Sequence, residues 1–134
     1  MQSSFQFTNP SLDKLIYEVN SDFVLANNDK VEIEINSSVS IEKKEGSNEA
    51  VVSLNLTVGS QSVKSPFFIN AVESAHFRWD EESVDGVGVD TLLNKNAVAL
   101  LISYLRPTIS LITAASNYPA YHLPFLNLYG SKQE

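Results

Sequence analysis

The stretch Tyr104–Thr113, YLRPTISLIT, places an arginine and a proline inside a segment that otherwise has the composition of a buried helix. A proline within a helix removes one backbone hydrogen bond and costs about 3 kcal/mol or more. Arg106, which precedes the proline, is also disfavoured in helical angles. The pattern predicts a long helix kinked at Pro107, with a simple break into two shorter helices as the alternative.

The apolar residues around this stretch follow a helical period from Asp90, a favourable N-cap, onward. A helix that is apolar nearly all round must be buried on nearly all sides. One stripe is formed by Leu93, Ala97, Leu100, Leu101, Tyr104, Leu111, Ile112 and Ala115, and the opposite side carries Val98, Ile102, Leu105 and Ile109. A single polar line remains, formed by Ser103, Arg106, Ser110 and Thr113.

One sheet can cover only one side of such a helix, so the remaining apolar surface predicts self-association. The helix would lie between the sheet of its own protomer and a second protomer. We expect a homo-oligomer, at least a dimer. The residues predicted to form its interface are Leu101, Ile102, Tyr104, Leu105 and Ile109.

The residues before the helix alternate between apolar and polar, which is the two-residue period of a strand with one wet face. Four such segments are LDKLIYEV (12–19), KVEIEINSSVSIE (30–42), VSLNLTVG (52–59) and PFFINAVESAHFRW (66–79). Short turns separate the last three of them. The predicted fold class is therefore α+β: a four-stranded antiparallel sheet (meander) followed by one long helix, in a single domain spanning residues 1–134.

The composition excludes several function classes. The net charge of −7 argues against binding of nucleic acid, which needs clustered Lys and Arg. There are no cysteines, which rules out disulfides and thiolate metal sites and suits a reducing compartment. No uninterrupted apolar run reaches the length of a membrane span, and the first residues do not form a leader peptide. We expect a cytoplasmic protein with no membrane insertion.

No catalytic constellation is recognisable. The two histidines, His76 and His122, do not form a pair at metal-ligand spacing, and a packed or surface role is expected for each. Gly86 and Gly88 lack the third glycine of a phosphate-binding loop and predict a flexible connector. The sequence predicts neither an enzyme nor a metal site nor a cofactor.

The segment LLNKNAVALLISYLRPTISLITAASNYPAYHLPFLNL (92–128) resembles the SecB export chaperones and their SecB-like relatives. The family pattern has a Tyr-x-Arg in the long helix, then Ile-Ser or Ile-Thr, an aromatic-Pro pair, and a tail containing proline and asparagine. The matching residues are Tyr104, Arg106, Ile109, Ser110, Tyr118, Pro119, Pro124 and Asn127. The strand segments YEVN, VEIEI and PFFINAVESAHF fit as well, so the resemblance covers nearly the whole chain.

The resemblance implies an ATP-independent holdase that binds unfolded or nascent polypeptides in an apolar groove. It assigns the groove to Val31, Ile33 and Ile35 of the second strand, although these residues would also suit an ordinary core. The family's acidic patch for docking the SecA motor is matched only by Glu18, with Lys14 and Asn70 at its other positions. The chain ends soon after Asn127, and we expect it to lack the helix that lids the groove in the family.

Two alternatives remain within the binding class. The chain resembles SecB-like chaperones dedicated to one client, such as the antitoxin of a toxin–antitoxin system. It could also be an oligomeric adaptor module without holdase activity.

Overall fold

The computed structural model describes residues 5–23, 31–62, 64–80, 86–116 and 119–124. Its four strands are β1 (Phe5–Val19), β2 (Ile35–Lys43), β3 (Glu49–Gly59) and β4 (Phe67–Trp79). A helical region follows, with α1 (Gly86–Thr91), a π-helical turn (Leu92–Asn96) and α2 (Ala97–Thr113). The predicted α+β class, an antiparallel four-stranded sheet followed by a long helix, is confirmed.

The strand order is β1-β4-β3-β2, and all three pairings are antiparallel. Strands β2, β3 and β4 form the predicted meander through short turns. The meander does not include β1, which pairs with β4 and not with β2. This correction has a physical reason: β4 carries apolar residues on both faces, among them Phe68 and Val72, which suits a central strand flanked on both sides.

Strand β1 is longer than predicted because two irregularities hide its first half in the sequence. Its pairing with β4 shifts between Thr8 and Ser11 and again between Leu12 and Lys14. Each shift inserts one extra residue and reverses which side chains face the core. At the first shift Asn9 has a positive φ of 54°, and Pro10 follows it. Two reversals cancel, so Leu15, Tyr17 and Val19 return to the face that Phe7 began on.

The turn between β3 and β4 depends on Gly59, the last residue of β3. Its φ is 78°, which is the left-handed region that favours glycine. A Cβ added at this position would collide with the carbonyl oxygen of Phe67. That same carbonyl accepts a hydrogen bond of 2.7 Å from the hydroxyl of the buried Ser65. The tight approach leaves no room for a side chain.

The helical region begins earlier than the sequence indicated. Gly86 and Gly88 lie in α1 and do not form the predicted flexible connector. Asp90 lies inside the helical region and is not its N-cap; its carboxylate pairs with the Lys43 ammonium at 2.8 Å on the surface. Helix α2 continues through Pro107 without interruption, so the alternative of two helices broken there is wrong.

The core lies between one face of the sheet and the inner side of α2. This helix packs mainly on β4 and β3 and less on β1. Alternate residues of β3 and β4 point at it, and the small Ala71 and Ala75 of β4 lie among them. The buried helical residues are Leu93, Ala97, Val98, Leu101, Ile102, Leu105, Ile109 and Thr113. Within the described ranges, the buried apolar residues form one cluster.

The helical run Gly88–Thr113 is long and apolar enough to match a membrane span by length and composition, with a mean hydropathy of 1.3 in its most apolar window. The core helix of a globular domain meets the same criterion. Here the inner side of the run is in contact with the sheet, and 39% of its most apolar window is buried within the protomer.

We expect Leu101→Asp to unfold the protein or to lower its free energy of unfolding by several kcal/mol, because it buries an unpaired charge in the centre of the core. The matched control is Leu111→Asp on the same helix, where the side chain is 74% exposed and the expected loss is small. Urea denaturation followed by circular dichroism measures both. Equal losses for the two variants would contradict the described orientation of α2.

Candidate functional site

One partly exposed apolar surface lies at the β2 edge of the sheet, on the side that carries α2. It contains the three residues predicted to bind a client. Ile35 opens β2, and Val31 and Ile33 precede the strand. Val31 is exposed, whereas Ile33 and Ile35 are half-buried against the core. With Val39, which is 40% exposed on the same face, they form what we call the β2-side strip.

A second apolar surface lies at the opposite edge, on the same side of the sheet. Phe7, Leu12, Leu15 and Val19 of β1 are each between 38% and 45% exposed, and we call them the β1-side strip. The ring of Phe7 meets the ring of Tyr104 of α2 edge to face, with the centroids 6.2 Å apart. This flank of α2 therefore faces β1.

Most of the predicted oligomer interface is already covered within the protomer. Leu101, Ile102, Leu105 and Ile109 are at most 3% exposed because they pack on their own sheet. Tyr104 is the one residue of the five that reaches the surface. The outer side of α2 is nevertheless apolar. Pro107 and, one turn later, Leu111 are exposed. Leu100, one turn before Tyr104, is half-buried.

The polar line of α2 holds the segment 119–124, which we call the strap. The Arg106 side chain donates from Nε to the carbonyl of Leu123 at 3.4 Å and from Nη2 to the carbonyl of Pro124 at 3.2 Å. The Thr113 hydroxyl accepts the backbone N–H of Tyr121 at 2.7 Å. Ser110 Oγ lies 2.9 Å from Nδ1 of His122 in the strap. The placement of the arginine is thereby explained: it binds main-chain carbonyls of a returning segment.

The strap lies on the flank of α2 that faces away from β1. Tyr104 and Arg106 are the neighbours of Leu105, so they point about 100° to either side of it. Since Leu105 faces the sheet and Tyr104 faces β1, Arg106 faces the β2 side. The strap is thus on the same flank of the helix as the β2-side strip.

Apolar contacts complete the docking of the strap. Leu123 is buried in the core cluster, and the ring of Tyr121 packs against Phe67 with the centroids 5.8 Å apart. Burial raises the pKa of the Tyr121 phenol. Phe67 also meets Tyr17 of β1 at 6.3 Å, so the three rings form a row across the end of the sheet.

An unexpected acidic residue, Glu73, lies on the helix-side face in the middle of β4. Its side chain lies between Leu12 of β1 and Leu54 of β3, and the residue is 5% exposed. Its carboxylate accepts no hydrogen bond from the side chain of any described residue. Burial, and to a smaller extent the negative charge of Asp13, raises the pKa of its carboxyl group. Hydrogen bonds from the hydroxyls of Ser74 and Ser11 lower the pKa of the Asp13 carboxyl group. Sequence reasoning missed Glu73, although its place in the β4 alternation was the available signal.

The outer face of the sheet carries the residue predicted to dock a translocase. Glu18 is exposed there and accepts a hydrogen bond of 3.3 Å from Gln61. Lys14 lies on the same face, and the nearby Asn70 side chain bonds to Asn55 at 2.7 Å. These residues form a mixed polar surface without an acidic cluster in this described part of the sheet.

Neither histidine stands at a metal site. His76 pairs with Glu49 at 2.8 Å on the outer face, and His122 is in the strap. Within the described ranges, no three His, Asp or Glu side chains come together in a way that could hold a metal ion.

The comparisons with known proteins agree on the fold. No model of a known protein family matches the sequence. An uncharacterized protein of Methanocaldococcus jannaschii is 30% identical over 105 residues, which are 76% of this chain and 66% of that protein, just under two thirds.

Two solved structures are similar in shape. A SecB-like chaperone of Mycobacterium tuberculosis, in complex with a ChAD peptide from the HigA1 antitoxin, has a TM-score of 0.72 at 13% identity and covers 92% of this chain and 91% of its own. A protein of unknown function from Streptococcus agalactiae has a TM-score of 0.54, also at 13% identity, and covers 90% and 97%. The predicted SecB-like fold is confirmed.

We expect Glu73→Gln to stabilise the protein at neutral pH by on the order of 1 kcal/mol. A carboxyl whose pKa is raised by folding opposes folding when it ionises, so stability falls as the pH rises above about 4.5, its unperturbed value, and through the raised pKa. The gain should therefore disappear in acid. Thermal unfolding between pH 4 and pH 8 measures it, with Glu42→Gln on the exposed side of β2 as the control. A gain independent of pH would contradict this assignment.

Proposed function

We propose that this chain, which has the SecB-like fold, is an ATP-independent chaperone that holds unfolded or nascent polypeptide segments. The observation that carries the proposal is the exposed apolar surface on the helix side of the sheet. Monomeric proteins rarely leave so many large apolar side chains exposed in one region. The β2-side strip is the proposed client site. A cytoplasmic setting and a part in protein export belong to the same proposal.

The chemistry of such a site is the exchange of water for apolar contact, at about 25 cal/mol per Å² buried. That interaction is not directional, so one strip can accept many sequences. Holding needs no nucleotide and no reacting group, because the client is bound and released without covalent change. Repeated strips in an oligomer would add avidity for a long client.

A dedicated chaperone of one client is the second candidate. The M. tuberculosis protein of the same fold was solved with a peptide derived from an antitoxin, which supports a role toward a single partner. A protein that co-purifies in fixed stoichiometry would favour this candidate, whereas suppression of aggregation of unrelated denatured proteins favours the general holdase. A chain that does neither would be an adaptor module.

The partly exposed position of Ile33 yields a direct test of the client site. Ile33→Ser should weaken binding of a labelled unfolded polypeptide by about tenfold, from the loss of 1–2 kcal/mol of apolar contact. Its Tm should change little, because the side chain is only half-buried. Val51→Ser, on the outer face, is the matched control. A large fall in Tm, or full client binding by the folded variant, would show that Ile33 is a core residue and not part of the client site.

We propose that the β1-side strip and the outer side of α2 form the interface of a homo-oligomer, most simply a tetramer arranged as a dimer of dimers. Phe7 and Tyr104 join the two surfaces through their edge-to-face contact, and Leu111 extends them. This interface replaces the buried residues that the sequence suggested.

Light scattering at micromolar concentration should give at least a dimer for the natural chain. Leu111→Lys should lower the molar mass while circular dichroism stays unchanged, since a charge in an apolar interface opposes association and the side chain is not part of the core. Val51 is also apolar and is exposed on the outer face of the sheet, so Val51→Lys should leave the molar mass unchanged. A natural chain of monomer mass would refute the interface.

A further inference from the structure

The strap binds α2 through the kinds of group that any extended polypeptide presents. Three carbonyls of the strap accept hydrogen bonds, two from Arg106 and one from the Thr113 hydroxyl. The Tyr121 N–H donates to the same hydroxyl, and the apolar side chain of Leu123 lies in the core. The His122 ring is the one polar side chain of the strap whose hydrogen bond, to Ser110, depends on residue identity. The flank of α2 therefore works as a binding site for an extended main chain.

The composition of the strap favours an extended, replaceable segment. Its sequence is PAYHLP, with a proline at each end. Proline has no N–H to donate, and it disfavours helical angles in the residue before it. The segment thus cannot extend α2, and its contacts with the helix are few. The strap is held by five hydrogen bonds, each contributing about 1 kcal/mol, by one buried leucine and by the contact of the Tyr121 ring with Phe67. This is a modest total for competition by a client.

We propose that the strap is an internal competitor: it covers the flank of α2 on the side of the client site until an unfolded segment displaces it. This inference rests on the proposed holdase function and adds its regulation. The strap and the β2-side strip lie on the same flank of α2. A client that binds Ile33 and Ile35 and extends toward α2 would therefore compete with the strap. Displacement of the strap then uncovers this flank of α2 for the apolar side chains of the client.

The chain contains no cysteine, which allows the strap to be locked reversibly. Ser110→Cys combined with His122→Cys places two thiols where the side chains now lie 2.9 Å apart. Oxidation would join them, and a reductant would release them. The probe is reduced, carboxymethylated α-lactalbumin, which stays unfolded and contains no thiol that could exchange with the engineered pair.

The oxidised variant should bind this probe at least about tenfold more weakly than the same protein after reduction, because the binding-competent state is removed. The reduced variant, which has lost the hydrogen bond between Ser110 and His122, should bind at least as tightly as the natural chain. Equal affinity of the two forms would overturn the proposal.

A loosened strap should have the opposite effect. Arg106→Gln removes donors to the carbonyls of Leu123 and Pro124 and should raise the affinity for the probe several-fold. Ser103→Ala is the matched control, because Ser103 lies on the same line but its hydroxyl donates only to Leu100 within the helix, at 2.6 Å. Unchanged or weaker binding by the folded Arg106→Gln variant would contradict a competing strap.

Hydrogen exchange separates failure of this inference from failure of the proposed function. The Tyr121 amide is protected by Thr113 in the docked state and should exchange faster when the probe is bound. Probe binding with unchanged Tyr121 protection would overturn the strap and leave the holdase standing. A natural chain that binds no probe, while Arg106→Gln also binds none, would overturn both.

Discussion

The burial of one side of α2 on β3 and β4 is the constraint on which the rest of the molecule depends. The alternate residues of these two central strands are buried beneath the helix, and Ala71 and Ala75 let it approach closely. A single helix is too narrow to cover four strands, since its diameter with side chains is about 10–12 Å and neighbouring strands lie about 4.8 Å apart. The edge strands are left with apolar residues that the helix cannot reach. Both candidate interaction surfaces follow from this mismatch of widths.

The two flanks of α2 are treated differently by the chain. On the β1 side, Tyr104 meets Phe7 and leaves an open apolar surface. On the β2 side, Arg106, Ser110 and Thr113 bind the returning strap, and polar bonds hold a segment whose Leu123 fills the core. One helix thereby separates a surface suited to a second protomer from one suited to an extended peptide. Proline at position 107 is tolerated because α2 is held by tertiary contacts along its buried side.

The helix and three of the strands could be predicted from the sequence because each keeps one hydrophobic period throughout. The first half of β1 could not, since its two register shifts reverse the alternation between Thr8 and Lys14. The pairing of β1 with β4 is a long-range choice that no local pattern records. Val31, Ile33 and Ile35 were predicted to bind a client, and that assignment stays a proposal. The contacts of the strap with α2 were not predicted, because they depend on the Arg106 side chain reaching carbonyls 17 and 18 positions later along the chain. Glu73 was missed because one acidic residue in an apolar alternation is easily taken for a solvent-facing one.

The irregular course of β1 has a consequence for the proposed binding of unfolded chains. An edge strand offers a row of free N–H and C=O groups, onto which a bound client or a neighbouring sheet can add a further strand. In β1 that row is divided into short lengths by three features: the left-handed backbone of Asn9, the missing N–H of Pro10 and the second register shift. A strand added at this edge could not stay in register along the whole of β1. At this edge, the sheet can thus expose apolar side chains without offering a continuous template for aggregation.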